Sequence, residues 1–407
     1  MEKEGMGSSK LWIIISALML VALLLSLSSD GAGAGKDGEI DTLADVPKST
    51  RLAMFRAQEE RQRGNVERST EILLGCLNGH PEKDHFLLRF HLANSLSQEG
   101  RYEEAIVHYQ KSVDMEDRFS QGWLNLGELA YNTERYDLAA RAITRGFETS
   151  EGKRPHALFY AAAAYMMAGD PASAVGNMER LLSGEFGTPK LDWYRALIAA
   201  CVDLGDQDRG RAAVDALLED FGDTPEAWTL AFQYAASISD YRAAAVTLTV
   251  KGYLFPLTRE ETLQLGDLYN AVEAPFVAAR YYERAIADSS SPGDFERLAS
   301  AYLAAHESEK AYETIRGALE ENETVRLWSL LGDLHFMEKN YGESYAAFEN
   351  CIRLDKDYGR GYLVMGYCAI QLGRVEDASG YLMKAATFPE YEDMAAQLLK
   401  RIDTDAG

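Results

Sequence analysis

The sequence predicts an all-α fold: about ten two-helix units in a row, preceded by one N-terminal hydrophobic helix and closed by a capping helix. Three observations predict it. Small and aromatic residues recur every 33 to 36 residues between Thr50 and Ala386. Each period holds two apolar-periodic stretches of some 12 to 14 residues joined by a short turn. No stretch reads as a strand. A unit this small cannot bury its own apolar face, so neighbours stack and share one continuous core.

Residues 1–10 form a short N-terminal segment. Leu11–Leu27 follows as a 17-residue apolar run, LWIIISALMLVALLLSL, broken only by Ser16 and Ser26. It is short for a spanning helix and slightly long for a signal-peptide core. Lys3 and Lys10 precede it and the next base is Lys36, which puts the N-terminus inside and the repeats on the extracytoplasmic, periplasmic side. Ala32-Gly33-Ala34 resembles a small-residue cleavage site. Two outcomes stand: an uncleaved single-pass transmembrane anchor, or a cleaved signal that leaves a secreted or periplasmic protein. Residues 28–49, rich in Gly, Ser, Asp and Ala with Pro47 near the end, are expected to be a flexible linker.

The array occupies residues 50–389. Its units align on Ser69, Ala105, Ala139, Ala174, Gly210, Ala244, Ala278, Ala311, Ser344 and Ala378. The turns between paired helices include Glu99-Gly100-Arg101-Tyr102, Ala168-Gly169-Asp170-Pro171 and Leu372-Gly373-Arg374-Val375. Glycine there supplies a left-handed helix cap. The small residue that follows lets the second helix approach the first closely, as an antiparallel pair. Residues 390–407 hold the capping helix and a tail. Met394, Ala395, Leu398 and Leu399 form its apolar side and are expected to close the last exposed face.

Four copies carry a recognisable signature: Trp123, Leu126, Gly127, Tyr136, Ala139; Leu265, Gly266, Tyr269, Ala278, Tyr282, Ala285; Trp328, Leu331, Gly332, Tyr341, Phe348; and Tyr362, Met365, Gly366, Ala378, Leu382, Ala385. The pattern resembles the tetratricopeptide-repeat family over residues 50 to about 390, in the manner of a membrane-anchored bacterial-type member. Units two to four and seven to ten match well, with Leu382 replacing the usual aromatic in the tenth. The first, fifth and sixth depart most, with Gly210 and Phe232 at consensus positions.

That resemblance implies a right-handed superhelical solenoid whose first helices line a concave groove for a peptide or partner helix. Carried over by position, the groove residues are Phe90, His91 and Asn94; Asn125, Glu128, Tyr131 and Asn132; and Phe159, Tyr160, Met166 and Met167. Aromatics and methionines give contact area, and amides bond a main chain. Asn94 and Asn125 match positions where relatives hold a bound peptide backbone. The specialised carboxylate clamp needs Lys and Arg, and Phe90, His156 and Tyr160 stand there instead. Further along, Asp267, Asn270, Asp333, Phe336 and Tyr367, with Arg297, Arg326 and Arg360, are expected to form solvated mixed-charge surface.

Composition narrows the function. With 41 Lys plus Arg against 64 Asp plus Glu, the net charge is −23. Such a field repels phosphate backbones, so no nucleic-acid partner is expected. Cys76, Cys201, Cys351 and Cys368 show no metal-ligand spacing and take repeat positions held elsewhere by Ala, Leu or Tyr. They read as small core hydrophobes, although Cys351 and Cys368 lie in neighbouring units where a disulfide is conceivable. Seven scattered histidines form no catalytic or metal motif, and no glycine-rich phosphate loop follows a strand. The expectation is a non-enzymatic, cofactor-free, membrane-tethered interaction scaffold for a protein or peptide partner, in an envelope assembly or export complex. The alternatives are a structural, self-assembling oligomer and a regulatory adaptor of a membrane enzyme; nothing in the sequence sets an oligomeric state.

Overall fold

The computed structural model describes residues 46–78, 80–288 and 291–405. The Leu11–Leu27 run and the linker up to residue 45 lie outside the described residues. Among the described residues the chain forms 21 α-helices and a single 3-10 turn, Pro81–Lys83, with no strand. None of these helices is long and apolar enough to cross a membrane.

The chain divides into two compact units, one ending at Ile238 and one starting at Ser239. The first holds α1 (Lys48–Gln62), α2 (Val66–Leu77), α3 (Phe86–Gln98), α4 (Tyr102–Met115), α5 (Ser120–Asn132), α6 (Tyr136–Thr149), α7 (Pro155–Met167), α8 (Pro171–Leu182), α9 (Leu191–Leu204), α10 (Gln207–Phe221) and α11 (Pro225–Ser237). The second holds α12 (Tyr241–Leu254), α13 (Arg259–Ala271), α14 (Pro275–Asp288), α15 (Pro292–Ala304), α16 (Ser308–Glu321), α17 (Val325–Met337), α18 (Tyr341–Leu354), α19 (Gly359–Gln371), α20 (Val375–Ala385) and α21 (Glu392–Asp405). Odd-numbered helices up to α19 are thus the first helices of the ten repeats. Within each unit every helix packs on the next in sequence, and first helices of neighbouring repeats also touch, as α1 with α3 and α15 with α17 do.

One backbone event ends every first helix. The residue five before each small anchor is left-handed: Gly64, Gly100, Gly169, Gly205 and Gly373 have φ between 74° and 86°, and Glu134, Ser239, Glu273, His306 and Lys339 have φ between 59° and 64°. In nine repeats the next amide then reaches back five residues. Examples are Arg101 N to Leu96 O at 2.9 Å and Asn340 N to His335 O at 2.8 Å. This Schellman closure satisfies orphan carbonyls and turns the chain back on itself.

The return stroke is held by a small residue under a large one. A Cβ on Gly127 would lie 2.5 Å from Ile143, one on Gly266 2.5 Å from Tyr282, one on Gly332 2.6 Å from Phe348, and one on Gly366 2.7 Å from Leu382. Each partner is sixteen residues on, in the second helix of the same repeat.

The divergent middle has a physical account. In the fifth repeat the glycine sits at the anchor itself, and a Cβ on Gly210 would lie 2.5 Å from the Tyr234 hydroxyl of α11. That hydroxyl donates to Gln207 O at 2.8 Å, so the ring lies across the start of α10. In the sixth repeat Phe232 fills the small-residue position, and the chain divides between its two helices.

The apolar core follows the stacking. Val46, placed by the sequence in the linker, is 2% exposed and packs with Met54, Ala57 and Leu73, so the folded part begins before residue 50. Cys201, Cys351 and Cys368 are buried, Cys76 is half-buried, and all four are free thiols. Cys351 and Cys368 form no disulfide. Burial pushes the Cys201 thiol up to about 11 and the Cys351 thiol up to about 12, which leaves both unreactive at neutral pH. The capping helix buries Ala395 against Leu382 and Ala385, with Leu398 and Leu399 alongside. Met394 departs from the expected closure and stays 50% exposed.

Two outcomes test this geometry by urea unfolding. Replacing a left-handed non-glycine residue, as in Glu134→Gly or Lys339→Gly, relieves strain of about 1–2 kcal/mol but loosens the unfolded chain, for a net gain of about 0.5–1 kcal/mol. Gly266→Ala drives a methyl into Tyr282 and lowers stability by about 1–3 kcal/mol.

Candidate functional site

First helices α1, α3 and α5 present one polar face in the first unit. The repeat register explains why. His91 and Asn125 each sit fourteen residues before their small anchors, and Asn94 and Glu128 each sit eleven before. The eleven-before slot of one repeat therefore meets the fourteen-before slot of the next. Asn94 Oδ1 accepts from Asn125 Nδ2 at 3.1 Å and from the hydroxyl of Tyr109 on α4. Asn125 Oδ1 in turn accepts from Gln121 Nε2 at 2.6 Å. The result is an amide ladder across two repeats, pinned from beneath by a buried phenol.

Charges flank this ladder without being neutralised. Arg61, on α1, is half-buried, and its side chain makes no hydrogen bond or ion pair among the described residues; burial lowers its pKa. Glu128, on α5, is also half-buried and equally unpartnered, and burial raises its pKa. Both influence the Tyr109 phenol, which burial holds well above its ordinary value, with Glu128 adding to the shift and the Asn125 amide and Arg61 opposing it. His91 is held neutral, its pKa pushed down to about 4 by burial and then by the Arg61 charge. A half-buried guanidinium and a half-buried carboxylate left unpaired on one face carry unspent interaction energy.

The remaining expected groove residues are placed otherwise. Phe90 is half-buried, edge-on to Phe119 at 5.0 Å and tilted against Tyr109 at 5.9 Å, so it packs between repeats. Tyr131 is 8% exposed, edge-on to Tyr136 at 5.5 Å. Phe159 and Met166 cover Ala163 and Ala199. Tyr160 is half-buried against Phe159 and His156. Only Asn132 and Met167 among the eleven are exposed, each at the last residue of its helix. The structure therefore gathers His91, Asn94, Asn125 and Glu128, and adds Arg61, Tyr109 and Gln121.

The sequence held one signal for Arg61. It stands eight residues before Ser69, the slot Tyr131 holds before Ala139. Because the first repeat departs from the consensus, that slot was not carried over.

In the second unit the carboxylates at the slot of Glu128, Asp267 and Asp333, are paired. Arg360 grips Asp333 with two bonds, 2.7 and 3.0 Å, and reaches Ser329 Oγ at 3.0 Å. Asp267 accepts from the Tyr282 hydroxyl at 2.6 Å and lies 3.6 Å from Arg297. Asp294, 4% exposed, takes Arg259 and the Ser291 amide. These contacts satisfy the fold's own groups, so the first unit's face is the candidate. Among the described residues no three His, Cys, Asp or Glu side chains are grouped so as to hold a metal ion.

Two segments match known repeat sequences: residues 90–150 and residues 325–358 each match a family described as tetratricopeptide repeat. No curated protein matches the chain. Solved structures similar to it include a tetratricopeptide repeat protein from Parabacteroides merdae, at 12% identity and TM-score 0.33, covering 63% of this chain and 99% of that one. Another is the APC/C hetero-tetramer Cut9-Hcn1, at 11% identity and TM-score 0.35, covering 96% and 89%. The P58(IPK) TPR domain is similar at 12% identity and TM-score 0.26, covering 87% and 97%.

The two titratable groups of the face give opposite pH signatures. His91 binds a proton at about 6.5 when unfolded and at about 4 when folded. The unfolded chain therefore takes up protons first, and stability falls by up to about 1.4 kcal/mol per pH unit from pH 6.5 to 4. His91→Phe removes that slope from an acid unfolding series. Glu128 has its folded pKa raised above the usual 4.5, so ionisation opposes folding. Glu128→Gln raises the unfolding midpoint at pH 7, and the gain disappears as pH falls below about 4.5.

Proposed function

This chain is a tetratricopeptide-repeat protein, and from that premise we propose that it binds an extended segment of a partner protein across the first-helix face of α1, α3 and α5. Proteins of this family generally mediate protein–protein interaction, and their fold is typically a non-catalytic scaffold. One observation carries the finer reading. Arg61 and Glu128 are half-buried and unpartnered near the Asn94–Asn125 ladder, whereas Asp267 and Asp333, at the slot of Glu128 in the second unit, are paired.

The chemistry of the face describes the segment it suits. Asn94 Oδ1 is already taken twice, so its amide nitrogen is left to donate to a peptide carbonyl. Arg61 would take a carboxylate, and Glu128 an ammonium, a guanidinium or main-chain amides. A segment carrying one charge of each sign, spaced to match, satisfies both groups at once. His91, neutral and edge-on to Phe90, supplies apolar area beside them.

We further propose that the chain works beside a membrane, held by Leu11–Leu27 with the repeats on the extracytoplasmic side, as part of an envelope assembly or export complex. The apolar run and the lysines preceding it support this. A cleaved signal with a secreted or periplasmic product is the alternative.

Two measurements test these readings. Partner capture by the full-length protein is expected to be lost with Asn125→Glu and retained with Arg316→Gln on an exposed second-helix surface, both variants keeping wild-type helicity. Undiminished capture by Asn125→Glu removes the face from the account. Separately, the full chain is expected to resist alkaline extraction from membranes and a chain lacking residues 11–27 to be released. Release of the full chain at its unprocessed length would remove the anchor.

A further inference from the structure

A second face of the molecule, on the second unit, is equipped for a ligand. Thr249 of α12, Tyr269 of α13 and Tyr281 of α14 meet around a pocket of ≈ 410 Å³, with Tyr253 and the arginines Arg280 and Arg284 at its edge. The volume falls within the range of small-ligand sites. This pocket involves the second helices α12 and α14, and none of its lining residues belongs to the Arg61–Glu128 face.

Its floor is built. Tyr269 and Tyr281 are stacked, with ring centroids 5.4 Å apart and 5° between planes. Thr249 Oγ1 and the Tyr269 hydroxyl share a hydrogen bond at 2.9 Å, which sets two hydroxyls side by side at the bottom. Tyr253, 85% exposed at the end of α12, stands as a free ring at the rim.

Its charge is left open. Arginines elsewhere in the chain mostly meet carboxylates, as Arg89 meets Asp84, Arg101 meets Glu104, Arg353 meets Glu323 and Arg360 meets Asp333. Arg280 and Arg284 make no hydrogen bond or ion pair among the described residues, in a protein of net charge −23. They are one turn apart on α14, where like charges repel unless an anion lies between them. The Arg284 charge already reaches the Tyr281 phenol. Two guanidinium forks match the charge and geometry of one doubly ionised phosphate.

Other candidates are weaker. The ≈ 520 Å³ pocket beside Asp267 and Arg297 has its charges paired within the fold. The apolar groove of Phe336, Tyr367 and Met394 has nothing that says what covers it.

We propose that this pocket binds an oxyanion carried on a flat aromatic group, an aryl phosphate, with Arg280 and Arg284 holding the phosphate and the tyrosines packing the ring. The Tyr269 hydroxyl, turned away from Thr249 Oγ1, donates to an oxygen that the arginines leave free, while Thr249 keeps its own proton on Ala245 O. Such a group reaches the pocket either as a phosphotyrosine side chain of a protein or as a free aryl phosphate.

Calorimetric titration of the full-length protein in detergent tests the site, with phenyl phosphate, inorganic phosphate and a short phosphotyrosine peptide as probes. One-to-one binding of phenyl phosphate is expected, at least ten-fold tighter than inorganic phosphate. Arg280→Gln and Arg284→Gln should each weaken it at least five-fold, Thr249→Val and Tyr253→Ala two- to five-fold, and Arg316→Gln not at all. Lysine at 280 and 284 keeps the charge and loses the forks, so it should fall between. Either tighter binding of the peptide or equal binding of both aryl ligands supports the site, the first pointing to a protein source and the second to a small molecule. Equal affinity for phenyl and inorganic phosphate, or full binding by the folded Arg280→Gln/Arg284→Gln double variant, overturns it.

Discussion

Everything in this chain depends on how closely two helices can approach within one repeat. Glycine under a large side chain sixteen residues later sets that distance in the third, seventh, ninth and tenth repeats. The left-handed residue between the helices sets the direction of return. Together they fix the register of each first helix against its neighbours. From that register comes the meeting of Asn94 with Asn125, and with it the candidate binding face.

The cost of the turn is spread unevenly. Five repeats use glycine at the left-handed position and five impose it on Glu134, Ser239, Glu273, His306 and Lys339. A strained turn persists only when the packing on both sides determines it, and the buried Ala139, Ala278, Ala311 and Ser344 that follow show that packing. Array stability thus rests on interfaces between neighbours rather than on any one helix, as a quasi-one-dimensional fold requires.

Much of this was legible in the sequence. The period located the turns to the residue, because glycine and its substitutes always stand five before the small anchor. It also placed Cys201, Cys351 and Cys368 in the core. What periodicity could not do was separate a groove side chain from one packed between repeats. Phe90 and Tyr131 share their faces with His91 and Glu128, and only the neighbouring Phe119 and Tyr136 show which rings are covered. Arg61 was missed for a different reason: its repeat diverges, so a consensus gave it no slot. The fifth repeat looked irregular in the sequence because its glycine serves Tyr234 of the next repeat rather than its own second helix.

Both proposals turn on charges that the fold leaves unused. Arg61 and Glu128 on one unit, and Arg280 and Arg284 on the other, stand unpaired where most of their counterparts are satisfied. The first pair carries the central claim, which a photo-crosslinking residue at Gln121 tests most directly. Gln121 is exposed and bonded to Asn125, so a label there reports on the face while Asn94, Asn125, Arg61 and Glu128 stay in place. With the full-length protein in its native membrane, the account predicts discrete, light-dependent adducts from position 121 and none from position 316. Adducts from 316 alone, or the same adducts from both, would contradict it.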